Sequence, residues 1–361
     1  MKDKESFDKL LAVCVKHGAS DLHLSCGRAP VYRVHGELKL LDIAKVDQDA
    51  MEKVALSLMT QGQQNEFQTH QSIDLGYSSP EGERFRVNCY RQLGQVALAV
   101  RHIDQDMCDV EQLSLPPQLK KLAHLPSGLV LVTGATGSGK STTLAALIHE
   151  INVNRNCHVL TIEDPVEFIH EGKESLIHHR ELFTDVPDFP SAVRSALRED
   201  PDVIMVGEMR DLETMRAALT AAETGHLVFS TLHTSDAVGT VERFVGSFPG
   251  DEQSVARHRI AMSLRAVVSQ HLMPTLNGGG RVPAVEILIV TLAVANLIDA
   301  AKTRQIYSAM ESGSGEGMQT RDQSLAKLVA GRRISREQAR SFCNDPVAFD
   351  KLLQISVLRG A

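Results

Sequence analysis

Gly134-Ala135-Thr136-Gly137-Ser138-Gly139-Lys140-Ser141 is the stretch on which the reading of this chain turns. It fits the pattern GxxxxGK followed by Ser or Thr. An apolar run, Leu129 to Thr133, leads into it, and a helical pattern with Leu144, Leu147, Ile148 and Ile151 on one face leads out. That strand–loop–helix context is what the motif's mechanics require. The glycines permit tight turns and leave backbone N–H groups free to surround phosphate oxygens, and the start of the next helix adds a favourable dipole. In such a cradle Lys140 reaches the β- and γ-phosphates of ATP, Ser141 ligates Mg²⁺, and Thr142 bonds the α-phosphate. The turn thus predicts a phosphate-binding loop inside an α/β domain.

Working outward, further continuous apolar runs read as strands: His158 to Ile162, Val203 to Val206, Leu227 to Thr231 and Val285 to Ile289. Runs without polar alternation suit a sheet covered on both faces, and their alternation with helices predicts a mainly parallel core. Upstream the pattern changes. A short amphipathic helix, Ser6 to Lys16, stops at Gly18; strand-like runs follow at Val31 to Val34, Arg84 to Cys89 and Val96 to Ile103, with a helix near Met51 to Met59. This predicts a smaller α+β unit with an antiparallel sheet over 1–104, a linker at 105–117 ending in Pro116-Pro117, and the ATPase domain over 118–361, with a helix at Gln118 to His124 and a polar helical tail near Ser324 to Val329 and Arg336 to Phe342.

Composition narrows the class. The 361 residues carry a formal net charge of −7, 43% apolar and 23% charged residues, and no Trp, so the core is aliphatic and no dominant basic footprint for nucleic acid is present. The six cysteines form no CxxC pair, which argues against a structural zinc site and for reduced thiols of a cytosolic protein. The N-terminus lacks the apolar core of a secretory signal. The most apolar run, Ile287 to Ile298, is 12 residues long. Spanning a bilayer takes about 20, so a buried strand running into a helix is expected there.

Hydrolysis needs more than a cradle. Two strands end in acids, at Ile162-Glu163-Asp164-Pro165 and Val206-Gly207-Glu208. Carboxyl ends of strands are where α/β proteins keep such groups. Glu208 is assigned to Mg²⁺ or its water shell and Glu163 to activation of the attacking water, with the roles exchangeable; Asp164 before Pro165 reads as a helix cap or a solvated loop charge. His226 and His233 bracket the run Leu227 to Leu232, where a histidine either senses the γ-phosphate or is structural. Arg84, Arg86 and Arg101 of the first unit are candidates for stabilising developing phosphoryl charge in trans, because a guanidinium is planar and always charged.

Taken together these segments resemble the secretion ATPase superfamily and, within it, the PilT type of pilus retraction motor. The resemblance is carried by Gly18 to Leu24 (GASDLHL), Arg84 to Asn88 (RFRVN), Thr161 to Phe168 (TIEDPVEF), Ser195 to Asp211 (SALREDPDVIMVGEMRD), Thr224 to Thr234 (TGHLVFSTLHT) and Gly317 to Thr320 (GMQT). It implies a RecA-like ATPase core behind a PAS-like N-terminal domain and a homo-hexameric ring. It also implies arginines closing the site, and a cytoplasmic motor peripheral to the inner membrane that works on a membrane platform protein. The absence of a tetracysteine insert and of extra N-terminal domains favours the retraction type. One segment departs. Where retraction motors carry AIRNLIRE, this chain reads Ala293-Val294-Ala295-Asn296-Leu297-Ile298-Asp299-Ala300, without both arginines and the glutamate. An accessory PilU-like paralogue acting with a partner motor therefore stands as the alternative.

Overall fold

A computed structural model of the chain describes residues 3–106 and 108–359, which fall into two compact units. One takes 3–106 together with 162–170 and 179–192; the other takes 108–161, 171–178 and 193–359. The first unit therefore includes two segments that lie far beyond the expected linker in sequence.

In the first unit six strands pair in the order β3-β2-β1-β6-β5-β4, every pair antiparallel. They are β1 (Ala19–Ser25), β2 (Val31–Val34), β3 (Glu37–Leu40), β4 (Ser72–Ser78), β5 (Arg84–Gln92) and β6 (Gln95–Ile103). Helices Lys4–Lys16, Gln48–Ser57 and Gln61–His70 supply Phe7, Leu11, Met51 and Phe67 to a core shared with Leu22, Leu24, Phe85 and Leu98. Period-two alternation explains the faces. Phe85, Val87 and Cys89 of β5 are buried in that core, so Arg84, Arg86 and Asn88 point to the opposite face. The Asp3 carboxylate caps the first helix through the Ser6 N–H at 2.9 Å, and Thr60 with Gln63 forms a reciprocal cap on the third.

The second sheet has seven strands in the order β13-β12-β7-β11-β10-β8-β9. These are β7 (Gly128–Thr133), β8 (His158–Glu163), β9 (Leu176–Glu181), β10 (Val203–Val206), β11 (Leu227–Leu232), β12 (Leu264–Pro274) and β13 (Arg281–Ile289). β10, β11, β7 and β12 run parallel in succession, whereas β13 returns antiparallel to β12. Every residue of β7, β10 and β11 is buried, as continuous apolar runs demand when helices cover both faces. The expected parallel core and antiparallel smaller unit are both present.

Two local expectations are corrected, and two strands of this sheet were unforeseen. The helix over Gln118 to His124 is a single 3₁₀ turn, Pro117–Leu119, followed by the short helix Lys120–Ala123. Asp164 caps no helix, because the chain after β8 stays irregular. β9 and β12 were not anticipated. The Ile287 to Ile298 run divides, as expected, into the end of β13 and the helix Leu292–Asp299. No helix among the described residues is long and apolar enough to cross a membrane.

The Gly317-Met318-Gln319-Thr320 signature gains a physical account. Gln319 exchanges two backbone hydrogen bonds with Ile287, at 2.7 and 3.0 Å, and its side-chain amide donates to the Val285 carbonyl at 2.8 Å. Thr320 then caps the helix Arg321–Ala330 with Gln323 as its reciprocal partner. The free margin of β13 is thereby covered at Val285 and Ile287.

Candidate functional site

In the second unit the cradle leaves the carboxyl end of β7. Gly134, Gly137 and Gly139 have φ of 142°, 77° and 90°, where side chains are rarely tolerated. Space confirms the need for glycine: a Cβ on Gly134 would lie 2.4 Å from the Gln270 carbonyl oxygen, and one on Gly139 2.7 Å from the Gln270 amide nitrogen. Ala135, Thr136 and Gly137 form the exposed crest, while Ser138 and Lys140 are buried beneath it. Lys140 Nζ donates to the Gly134 and Ala135 carbonyls at 3.0 and 3.1 Å. Ser141 is exposed and Thr142 half-buried on the first turn of the helix Lys140–Asn154.

A residue that sequence reasoning missed holds this loop in place. Gln270 of β12 is buried; its amide nitrogen donates to the Ser138 carbonyl at 2.8 Å, and its oxygen accepts from the Thr143 hydroxyl at 2.7 Å. One side chain thus ties the loop and the first helical turn to the neighbouring strand. No spacing signal could have found it, since Gln270 lies 132 residues from Ser138.

Register decides which other candidates reach the same end of the sheet. Leu232 of β11 pairs with Thr133 of β7, so His233 leaves the sheet at the margin from which the cradle rises. Glu208 follows β10 by two residues, and the Thr231 hydroxyl donates to the Gly207 carbonyl at 2.7 Å, stitching the two strand ends together. The Glu208 carboxylate lies 2.6 Å from Arg210 and 3.5 Å from His233 Nε2. Glu208 and His233 are therefore brought together. His226 is not. It precedes β11, its carbonyl accepts from Gly128 at the opposite end of β7, and its Nδ1 faces the Ala221 carbonyl at 3.0 Å. At about 3.3 Å of rise per residue, His226 stands roughly 20 Å from His233 along the strand. Its contacts close the helix Leu212–Glu223 rather than touch this chain's cradle.

The remaining candidates belong to the first unit. Glu163 closes β8; its side chain is mostly buried, and His179 Nδ1 lies 3.8 Å from its carboxylate. His179 Nε2 accepts from the His170 N–H at 3.1 Å, which leaves Nδ1 to carry the ring proton toward Glu163. Arg84 is buried and held on all sides: its guanidinium donates to the Val166 carbonyl at 3.2 and 2.7 Å and to Ser78 at 3.2 Å, and pairs with Glu181 at 3.3 Å. Burial pushes the Glu181 carboxyl above its usual range, against the pull of the Val166 N–H and of Arg84. Burial also lowers the Arg84 guanidinium, against Glu181. This is a structural ion pair, and Arg84 has no free face for acting in trans.

Arg86 and Arg101 differ. They sit directly opposite each other on β5 and β6, a like-charge pair that would repel but for acids on either side. Arg86 pairs with Asp74 and Glu167 at 3.3 and 3.2 Å, and Arg101 with Asp21 at 3.0 Å. Both line an open cavity of about 220 Å³ with Asp21, His23 and Asp74. The Arg101 side chain is 66% exposed.

The chain matches the family model described as "Type II/IV secretion system protein" over residues 4–323. It is 46% identical over 341 residues to the type IV pilus retraction ATPase PilT of Pseudomonas aeruginosa, covering 94% of this chain and 99% of that one. It is 37% identical over 333 residues to the type IV pilus ATPase PilU of the same species, covering 92% and 87%. A crystal structure of the pilus retraction motor PilT with bound ADP superposes with a TM-score of 0.86 at 41% identity, over 95% of this chain and 98% of that one. With a glycine cradle, a strand-end glutamate and a partnering histidine already at one margin of the sheet, the chain belongs to the type II/IV secretion system protein family, among its PilT-like ATPases.

Proposed function

We propose that this chain hydrolyses ATP and converts the energy into pilus retraction, as a subunit of a hexameric ring at the cytoplasmic face of the inner membrane, acting on a membrane platform protein. The observation that carries the reading is the preformed cradle: three glycines where a Cβ would collide or strain, above a buried lysine. Lys140 holds two neutral carbonyls. Exchanging these for β- and γ-phosphate oxygens replaces neutral acceptors by anionic ones, and charge-assisted bonds are roughly twice as strong. The backbone amides of Gly137 to Lys140 and the Thr142 hydroxyl orient the rest of the triphosphate.

Mg²⁺ fits the donor set, since the exposed Ser141 hydroxyl and the Glu208 carboxylate are the hard oxygen ligands it prefers. When bound it neutralises developing phosphoryl charge. Glu163 takes the proton of the attacking water, and His233 holds the Glu208 carboxylate. Arg86 and Arg101 are the arginines left with accessible guanidinium groups. The test is genetic: deletion should leave long pili and abolish twitching, wild-type chain should restore it, and Lys140→Ala should not. A Lys140→Ala chain that restores twitching overturns the reading.

A second reading has one observation behind it. In the segment that replaces AIRNLIRE, Ala293, Asn296, Asp299 and Ala300 are the exposed positions, beside Leu292 at 80% exposure, and Asp299 and Ala300 stand where the motif has Arg and Glu. A face so altered suits an accessory ATPase that works through a partner motor. Phosphate release by the purified chain alone separates the two: turnover without a partner favours the motor.

A further inference from the structure

We propose that His158 and His178 form a two-histidine site for a divalent transition-metal cation of the zinc class, on the flank of the large sheet and apart from the nucleotide cradle. Both residues lie in the second unit, on the adjacent strands β8 and β9, and β9 is the outermost strand. His158 Nε2 and His178 Nδ1 are 2.9 Å apart, with ring planes at 85°.

The surroundings fix which nitrogen offers a lone pair. His158 Nδ1 lies 3.0 Å from the Asp200 carbonyl, which can only accept, so Nδ1 carries the proton and Nε2 is the bare nitrogen. A histidine whose second nitrogen donates to a backbone carbonyl is the usual outer support of a metal ligand. The support is rigid. Asp200 presents its carbonyl from a left-handed backbone, φ 55°, and His158 exchanges two hydrogen bonds with Asp202: its N–H donates to the carboxylate at 2.8 Å, and its carbonyl accepts from the Asp202 N–H at 2.9 Å.

Across from it His178 is exposed and has room to swing. Two metal–nitrogen bonds of about 2.0–2.1 Å, at angles between square and tetrahedral, separate their nitrogens by about 2.8–3.4 Å. The observed 2.9 Å lies within that range. Binding replaces the bridging proton by the cation. The His178 proton moves from Nδ1 to Nε2 of the same ring, so no net proton is released. Among the described residues no group of three or more His, Cys, Asp or Glu side chains is placed to hold a metal. Two imidazoles with water in the remaining positions are therefore what this site offers, a set that selects Zn²⁺, Ni²⁺ or Cu²⁺ and rejects Mg²⁺.

The experiment is a Zn²⁺ titration of the full chain, free of any histidine tag and in excess Mg²⁺, by calorimetry. The wild type is expected to bind one Zn²⁺ that His178→Ala and His158→Gln each bind at least about tenfold more weakly. Cu²⁺ in the same site should show coupling to two nitrogens by electron paramagnetic resonance, falling to one in His178→Ala. Identical Zn²⁺ titrations in the wild type and both variants, or wild-type Cu²⁺ without a two-nitrogen pattern that depends on His178, overturn the proposal.

Discussion

The glycine cradle and the arginine strands of the smaller unit solve the problem of charge in opposite ways. In the cradle the single cation, Lys140, is buried against neutral carbonyls and the shape is set by residues without side chains. On β5 and β6 every arginine is matched by a carboxylate: Arg84 by Glu181, Arg86 by Asp74 and Glu167, Arg91 by Glu52, Arg101 by Asp21. The cradle sets its cation against main-chain oxygens and shapes the surrounding space with backbone. The strand surface sets its cations against side-chain carboxylates. The same distinction separates the arginines from one another, since only Arg84 is both paired and buried.

The largest effect that tests this contrast is at the cradle margin. Glu208→Gln should retain nucleotide binding while turnover falls about 10²–10³-fold, the cost of removing one preorganised electrostatic group, read by Mg²⁺-dependent phosphate release beside a fluorescent-nucleotide titration. Normal turnover would remove Glu208 from the chemistry. Next is Arg84→Ala, which leaves Glu181 buried without its cation; a loss of about 3–5 kcal/mol is expected in denaturant unfolding of the smaller unit. If stability were untouched and turnover collapsed, Arg84 would belong with the cradle after all. Gln270→Leu strands the Ser138 carbonyl and the Thr143 hydroxyl, at about 1–3 kcal/mol, and should weaken nucleotide binding about tenfold with a smaller change in kcat than in KM. An unchanged KM would mean the loop keeps its shape unaided. The smallest effect is for Arg101→Ala, whose exposed pair with Asp21 should contribute within about 1 kcal/mol by thermal unfolding.

How far the sequence could be read follows the same division. The cradle announces itself because all its constraints are local: eight adjacent residues, a strand before, a helix after. β7, β10 and β11 are equally plain, being short apolar runs between turn signals. β9 is not, because Leu176-Ile177-His178-His179-Arg180-Glu181 has neither alternation nor an apolar run; it is a strand because β8 offers it a partner. β12 is hidden by Ser269 and Gln270, polar residues that are buried because they bond to Thr133, Ser138 and Thr143. His226 looked like a twin of His233 because both flank one strand. Only the parallel register with β7 shows that they leave at opposite ends. Arg84 and Arg86 are two residues apart and share a face, yet their fates diverge through Val166, Glu181 and Glu167, contacts supplied from about eighty to a hundred residues away. Long-range partners of that kind have no periodicity to betray them.

Gln319 has a consequence for how the large sheet meets other molecules. It occupies the Ile287 N–H and carbonyl and the Val285 carbonyl, and the Ser324 hydroxyl accepts from the Val285 N–H, which removes those vacant backbone groups as places where a stray extended peptide could align. The sheet is thus a ribbon whose β13 border is hemmed at Val285 and Ile287. The other border is β9, where Glu181 is mostly buried and paired with Arg84 and the exposed side chains are Leu176 and His178.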